Sequence, residues 1–119
     1  METYTPDNLL AGDYPVVTDF RTILTGQGTL ARGTVLAEDS ANSNKLVVVD
    51  SASGTASIQA PLVVLAEEGD TADSDVVGEV YLSGAFNENV MTFGGTDTAD
   101  NHRAALRDLS IFLKKAVPA

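Results

Sequence analysis

The sequence predicts a mainly β or α+β domain, small and compact, with short strands, one late helix and an extended N-terminal arm. Three observations lead there. Apolar residues make up 44% of the 119 residues, yet aromatics are only 6% and tryptophan is absent. The core must therefore come from Val, Leu, Ile and Ala, and the β-branched members of that set favour strands. The apolar runs are short and punctuated by glycine-bearing turns, the grammar of strands joined by tight connections. A convincing 3–4 periodicity occurs only after Thr98, which leaves room for one helix. A chain of this length forms one domain that buries roughly two-thirds of its unfolded surface.

The elements follow in order. Residues 18–24 form the first strand, in which Phe20 and Thr22 alternate with Asp19, Arg21 and Ile23, and Gly26-Gln27-Gly28 turns the chain. The second strand, 30–37, is interrupted by Gly33, and a glycine inside a strand marks a bulge or a close backbone approach. Residues 38–44 are a polar loop. Lys45-Leu46-Val47-Val48-Val49-Asp50 is almost continuously apolar, so both faces of that strand are covered. Residues 51–57, rich in Ser, Gly and Ala, read as a loop. Pro61-Leu62-Val63-Val64-Leu65-Ala66 is the next strand, and a proline at its start removes no needed donor. After the acidic turn region 67–75 comes a strand over 75–83, bounded by a turn at Gly84, with Gly78 permitting close packing. A short strand at 90–93 ends at Gly94-Gly95.

Thr98 is the expected N-cap of the helix, with Asp100 in the first turn, where the positive helix end favours an acid. His102, Ala105, Leu106 and Leu109 share one face, and Arg103 and Arg107 another. The helix is expected to break near Leu109 or Ser110. Beyond that point, 110–117 reads either as more helix or as an extended segment in which Ile111 and Leu113 alternate.

Residues 1–20 stand apart from the domain at 21–119. They carry Glu2, Asp7, Asp13 and Asp19 without a base, and Pro6 and Pro15 bar regular structure. Tyr4, Leu9, Leu10, Tyr14, Val16 and Phe20 recur there with no period of 2 or 3.6. One reading is a frayed terminus. The other is an arm, mobile when free, that orders on a partner, since a solvated tail seldom carries so many large apolar side chains.

The formal charge of −10 argues against nucleic acid and anionic membranes as partners, because phosphate binding needs a positive footprint. There is no cysteine, which excludes disulfides and cysteine metal sites. The N-terminus lacks the basic and apolar regions of a signal peptide, and no apolar run approaches the ~20 residues of a membrane span. The expectation is a soluble protein made in the cytoplasm.

Catalytic, metal and cofactor readings fare poorly. His102 is the only histidine. A general base needs a nucleophile and an orienting group beside it, and the helical spacing of His102 with Leu106 reads as packing. Asp73-Ser74-Asp75-Val76-Val77-Gly78 puts a glycine where a calcium loop has one, but the third ligand and the distal glutamate are missing. That stretch reads as a solvated turn. Gly94-Gly95 precedes the helix, yet the nearby aspartates and the lack of a lysine would repel a phosphate. The expectation is no enzyme, no metal and no cofactor.

Four segments carry a family resemblance. Leu30-Ala31-Arg32-Gly33-Thr34-Val35-Leu36 is followed by Lys45-Leu46-Val47 before Asp50, by the run 61–66, and by Gly78-Glu79-Val80-Tyr81-Leu82-Ser83-Gly84-Ala85-Phe86 with the polar Asn87-Glu88-Asn89 behind it. In order and spacing over about residues 26–95 they resemble the lambda-type head decoration (capsid cement) proteins of tailed bacteriophages. The chain departs from the best-known member in having no tryptophan. The resemblance implies a homotrimer on the outer capsid surface of the virion, bound to the major capsid protein of the expanded head and stabilising it against DNA pressure. It also implies an arm that orders on the capsid, which points to Tyr4, Pro6, Leu9, Leu10, Tyr14 and Val16 as capsid-binding residues. The alternative is a small carbohydrate- or peptide-binding β module displayed on a surface, motivated by Tyr81 and Phe86, read as exposed aromatics near glycine turns.

Overall fold

The computed structural model of the protein describes residues 9–11 and 14–115. The strands are β1 (Val17–Ile23), β2 (Thr29–Leu30), β3 (Val35–Asp39), β4 (Lys45–Val48), β5 (Val63–Leu65), β6 (Gly69–Asp70), β7 (Val76–Asn87) and β8 (Ile111–Lys114), with one helix, α1 (Ala99–Asp108). The chain is thus mostly β, with a mixed six-stranded sheet in the order β1-β4-β3-β5-β7-β8 and a small β2-β6 pair.

β1 pairs with β7 as well as with β4. Together with the β4–β3, β3–β5 and β5–β7 pairings this closes five strands into a ring. Strand side chains alternate between two faces, and in this ring the alternation sorts the apolar residues into two cores. One comprises Ile23, Leu30, Leu36, Leu46, Val63, Leu65 and Val80. It draws on every ring strand and fills the interior. The other takes the intervening positions, Val35, Ala37, Val64, Ala66 and Tyr81, and adds Leu9, Val49, Phe86, Leu106 and Ile111. It lies between the outside of the ring wall and a cover of α1, β8 and the start of the chain. That is why the β-branched runs at 45–50 and 61–66 are apolar at consecutive positions: each contributes to both cores.

Several elements differ from expectation. β7 does not stop at Gly84 but runs through it to Asn87. Gly84 is where the strand changes neighbours: Ser83 is the last position paired with β1, and Gly84 is the first paired with β8. Its φ of +147° is a conformation side chains rarely adopt, and a Cβ there would stand 2.9 Å from the Phe86 ring. The run 30–37 is two strands, parted where the Gly33 N–H turns to the Leu65 carbonyl at 2.8 Å. Residues 90–93 are not a strand. A 3-10 turn, Glu88–Val90, is followed by an isolated bridge between Thr92 and Thr34. Gly78 does permit close packing, since a Cβ there would lie 2.9 Å from Ile23 Cδ1 inside the ring.

The helix begins at the expected cap, with the Thr98 N–H donating to Asn101 Oδ1 at 2.6 Å. It ends before Ser110, whose φ of +67° lies in the left-handed region, and the Ser110 N–H closes on the Arg107 carbonyl at 3.0 Å. The chain then becomes β8, so the extended alternative holds for residues 111–114. The buried stripe of α1 is narrower than expected. His102 and Leu106 are buried, whereas Ala105 and Leu109 are exposed.

Candidate functional site

The start of the chain is tied to the sheet at its root. The Asn87 N–H donates to the Leu9 carbonyl at 2.7 Å, the Ala11 N–H donates to the Ala85 carbonyl at 2.9 Å, and Leu10 forms an antiparallel bridge with Phe86. Alternation then separates neighbours: Leu9 is buried in the outer core and Leu10 is 45% exposed. Tyr14 is exposed, with its ring edge-on to Phe112 at 4.8 Å between centroids. Val16 is exposed as well. Ser83 Oγ donates to the Pro15 carbonyl at 3.0 Å and accepts from the Val17 N–H at 3.2 Å, holding this run against β7. Of the expected capsid-binding residues, the structure therefore brings Leu10, Tyr14 and Val16 to the surface and turns Leu9 inward. Tyr4 and Pro6 lie outside the described residues. The boundary drawn at residue 20 falls inside β1, which begins at Val17.

The sequence reading missed a second exposed apolar group. Phe20 on β1 is 64% exposed and Val77 on β7 is 68% exposed. Alternation was visible in β1, but the side on which Phe20 would fall was not. Ile23 fixes the inward parity, and Phe20 takes the other face.

The aromatics that motivated a ligand-binding module are not available to a ligand. Phe86 is fully buried and Tyr81 nearly so. Their rings are 5.3 Å apart, and Arg32 Nη1 caps the pair by donating to Tyr81 Oη and to the Ala66 carbonyl, both at 2.7 Å.

His102 is a packed residue with a specific partner. Its Nε2 lies 2.7 Å from Asp97 Oδ2, and its ring stacks on Phe93 at 5.6 Å. The Asp97 side chain is as buried as that of His102 and also accepts from the Ser51 N–H at 2.7 Å and from Ser51 Oγ. The bonds from Ser51, and then that from His102, hold the Asp97 carboxyl below the usual carboxylate range. Ser51 Oγ is bonded to Asp97, not to the imidazole, so the set lacks the hydroxyl–imidazole contact that activates a nucleophile. It is a clasp joining the loop after β4, the loop before α1, and α1 itself.

The acidic turn is likewise occupied by its own chain. Asp75 Oδ1 accepts from the Thr25 N–H at 2.8 Å and Oδ2 from Lys45 Nζ at 2.7 Å, and the lysine contact holds its carboxyl low. Among the described residues no three His, Asp or Glu side chains gather as a metal site. No helix among them is long and apolar enough to cross a membrane. The Gly94-Gly95 turn faces the Val49 carbonyl and the Asp50 carboxylate, a setting that opposes an anion.

The described residues thus form a ring of short strands, one late helix and an exposed apolar run leading into β1. A family model described as bacteriophage lambda head decoration protein D matches residues 1–112. The chain belongs to this family. No curated protein matched the sequence. Membership in the head decoration family supports a capsid decoration role and a place in the phage virion.

Proposed function

We propose that this chain binds the outside of the expanded phage head as a homotrimer and stabilises the shell against the pressure of packaged DNA, without catalysing a reaction. The family match over residues 1–112 carries this reading. The partners are the major capsid protein and the chain's own copies. The net charge of −10 suits the outer side of the shell and disfavours nucleic acid or anionic lipid.

In this reading the N-terminal run makes the capsid contact, through Tyr4, Pro6, Leu10, Tyr14 and Val16. Leu9 acts from below as the buried anchor that fixes where the run leaves the domain. The exposure of Leu10, Tyr14 and Val16 on a run hydrogen-bonded to β7 supports this division. An extended segment adds to a sheet edge through main-chain bonds with little demand on sequence. Three such segments on one trimer would engage with avidity. A partner that binds only the assembled shell stabilises that shell by mass action.

Truncation tests the assignment, and the structure sets where to cut. Removing residues 1–20 would delete Leu9 and over half of β1 and so confound binding with folding. Removing residues 1–8 leaves both in place. The shortened chain, which loses Tyr4 and Pro6 and keeps Leu10, Tyr14 and Val16, is expected to stay folded and to bind expanded heads more weakly, and adding Leu10→Ala should weaken it further. Undiminished binding by the shortened chain carrying Leu10→Ala would refute the arm assignment.

A further inference from the structure

We propose that the outer face of the β1/β7 ribbon, centred on Phe20 and Val77, is where a second copy of this chain docks; this deepens the homotrimer reading above and rests on it. The two side chains are the most exposed of the large apolar residues among those described, at 64% and 68%. They are also neighbours. Phe20 stands opposite Glu79 and Thr22 opposite Val77 in the antiparallel register, so Phe20 and Val77 form a diagonal pair on one face. The ribbon beneath is preformed, because β1 is paired with β7 along its whole length.

The flank of this ribbon is open as well. β4 pairs with β1 only at Ile23, opposite Leu46. Over residues 17–22 no other strand pairs with that side of β1 among the described residues. An exposed strand edge beside bare Val and Phe is a template for unwanted pairing, which native proteins blunt or cover. Proline is absent from β1, and Arg21, the one basic side chain there, is engaged with Glu38. A cover in the assembled state meets this need.

Charge selects the occupant. A chain of net charge −10 repels its own copy over most approaches, with a range of about 8 Å at physiological salt. Beside the ribbon, the basic groups are already matched within the chain. Arg21 pairs with Glu38 at 2.8 Å, and Lys45 pairs with Asp75 at 2.7 Å. A face flanked by closed ion pairs leaves no cation calling for an acidic partner and buries little unpaired charge against an identical chain. Glu79, half-buried opposite Phe20, and Asp19, exposed next to Phe20 on β1, are carboxylates of the ribbon itself and stay wet at its rim. A partner of opposite charge would find few free charges here to recognise.

Sedimentation of the full-length chain tests this, comparing wild type with Phe20→Lys, Val77→Lys and, as a control on the exposed end of α1, Leu109→Lys. The wild type is expected to associate at micromolar concentration, each ribbon variant about tenfold or more weakly, and Leu109→Lys like wild type. Circular dichroism should show all of them folded, since each replaced side chain is exposed. As a second readout, Thr22→Cys, on the same face as Phe20 and opposite Val77, introduces the sole thiol into a cysteine-free chain and keeps both apolar anchors. Its reaction with a thiol reagent should slow as protein concentration rises. Ribbon variants that associate like wild type, or a thiol equally reactive at all concentrations, would overturn the proposal. A monomeric wild type would overturn it together with the homotrimer. Binding of the same proteins to expanded heads keeps the decoration reading separate. Variants that associate normally but fail on heads would assign the ribbon to the capsid and overturn docking of a second copy.

Discussion

Leu9 and Leu10 are adjacent, chemically identical and opposite in role. Leu9 packs with Phe86, Leu106 and Ile111, and Leu10 faces out. Replacing Leu9 with alanine should cost about 2–5 kcal/mol, the usual penalty for a cavity at a well-packed site. Leu10→Ala should change stability by no more than about 0.5 kcal/mol while weakening binding to heads. Urea unfolding of the two variants checks the contrast. The sequence could not separate them. Prolines at 6 and 15 erase periodicity, and the parity is set by a pairing with β7, more than seventy residues away. Asp97 was equally hidden. It reads as a turn residue near a possible phosphate loop, whereas its carboxylate is the centre of the Ser51–His102 clasp.

The Asp97 clasp has a pH signature. Its carboxyl is held below the ordinary value of 3.8 in the folded chain. The folded state therefore binds the proton less readily than the unfolded state does. The associated stability is complete above the unfolded value and is lost as pH falls through the lower folded value. Thermal melts of wild type should therefore decline below about pH 4, and Asp97→Asn should decline less steeply over the same range. Asp97→Asn should also be less stable at neutral pH by about 1.5–3 kcal/mol, the range for bonds to a charged group. Equal acid slopes for the two proteins would show that Asp97 does not supply the dependence.

Among the elements, those whose signals are local were legible. Thr98 announced the helix and Ser110 lies where it breaks, because caps and turn residues act within a few positions. The apolar runs at 45–50 and 61–66 marked β4 and β5, with their ends trimmed by a residue or two. Elements defined by distant partners were not legible. β2 and β6 are two residues each and exist only through pairing with one another. The Gly84 signal was read as a stop, although it serves as a change of partners within one long strand. Gly84→Ala should test that role. It places a methyl at a φ of +147° and 2.9 Å from the Phe86 ring, so it should destabilise by more than about 1 kcal/mol. Because the β8 pairing begins at this residue, exchange of the amide hydrogens of β8 should accelerate before that of β5.

For the whole molecule, composition and strand grammar were enough for the fold class, but not for the closed ring. Closure needs β1 to meet both β7 and β4, and neither contact leaves a mark in the β1 sequence. The split of one apolar inventory into an inner and an outer core follows from that closure. It explains how a chain without tryptophan buries Phe86 and Tyr81 and leaves its exposed apolar residues along the N-terminal run, the β1/β7 ribbon and the end of α1. The expected arm was legible as an excess of apolar residues without a period. Its root, and the inward turn of Leu9, were not.

The most direct test of the account is co-sedimentation of this chain with expanded heads of the phage that encodes it, comparing the full-length protein with one lacking residues 1–8. The account predicts that the full-length chain saturates the heads in multiples of three copies, and that the folded truncated chain needs a higher concentration to do so. Full-strength binding without residues 1–8, or no binding by the intact chain, would contradict it.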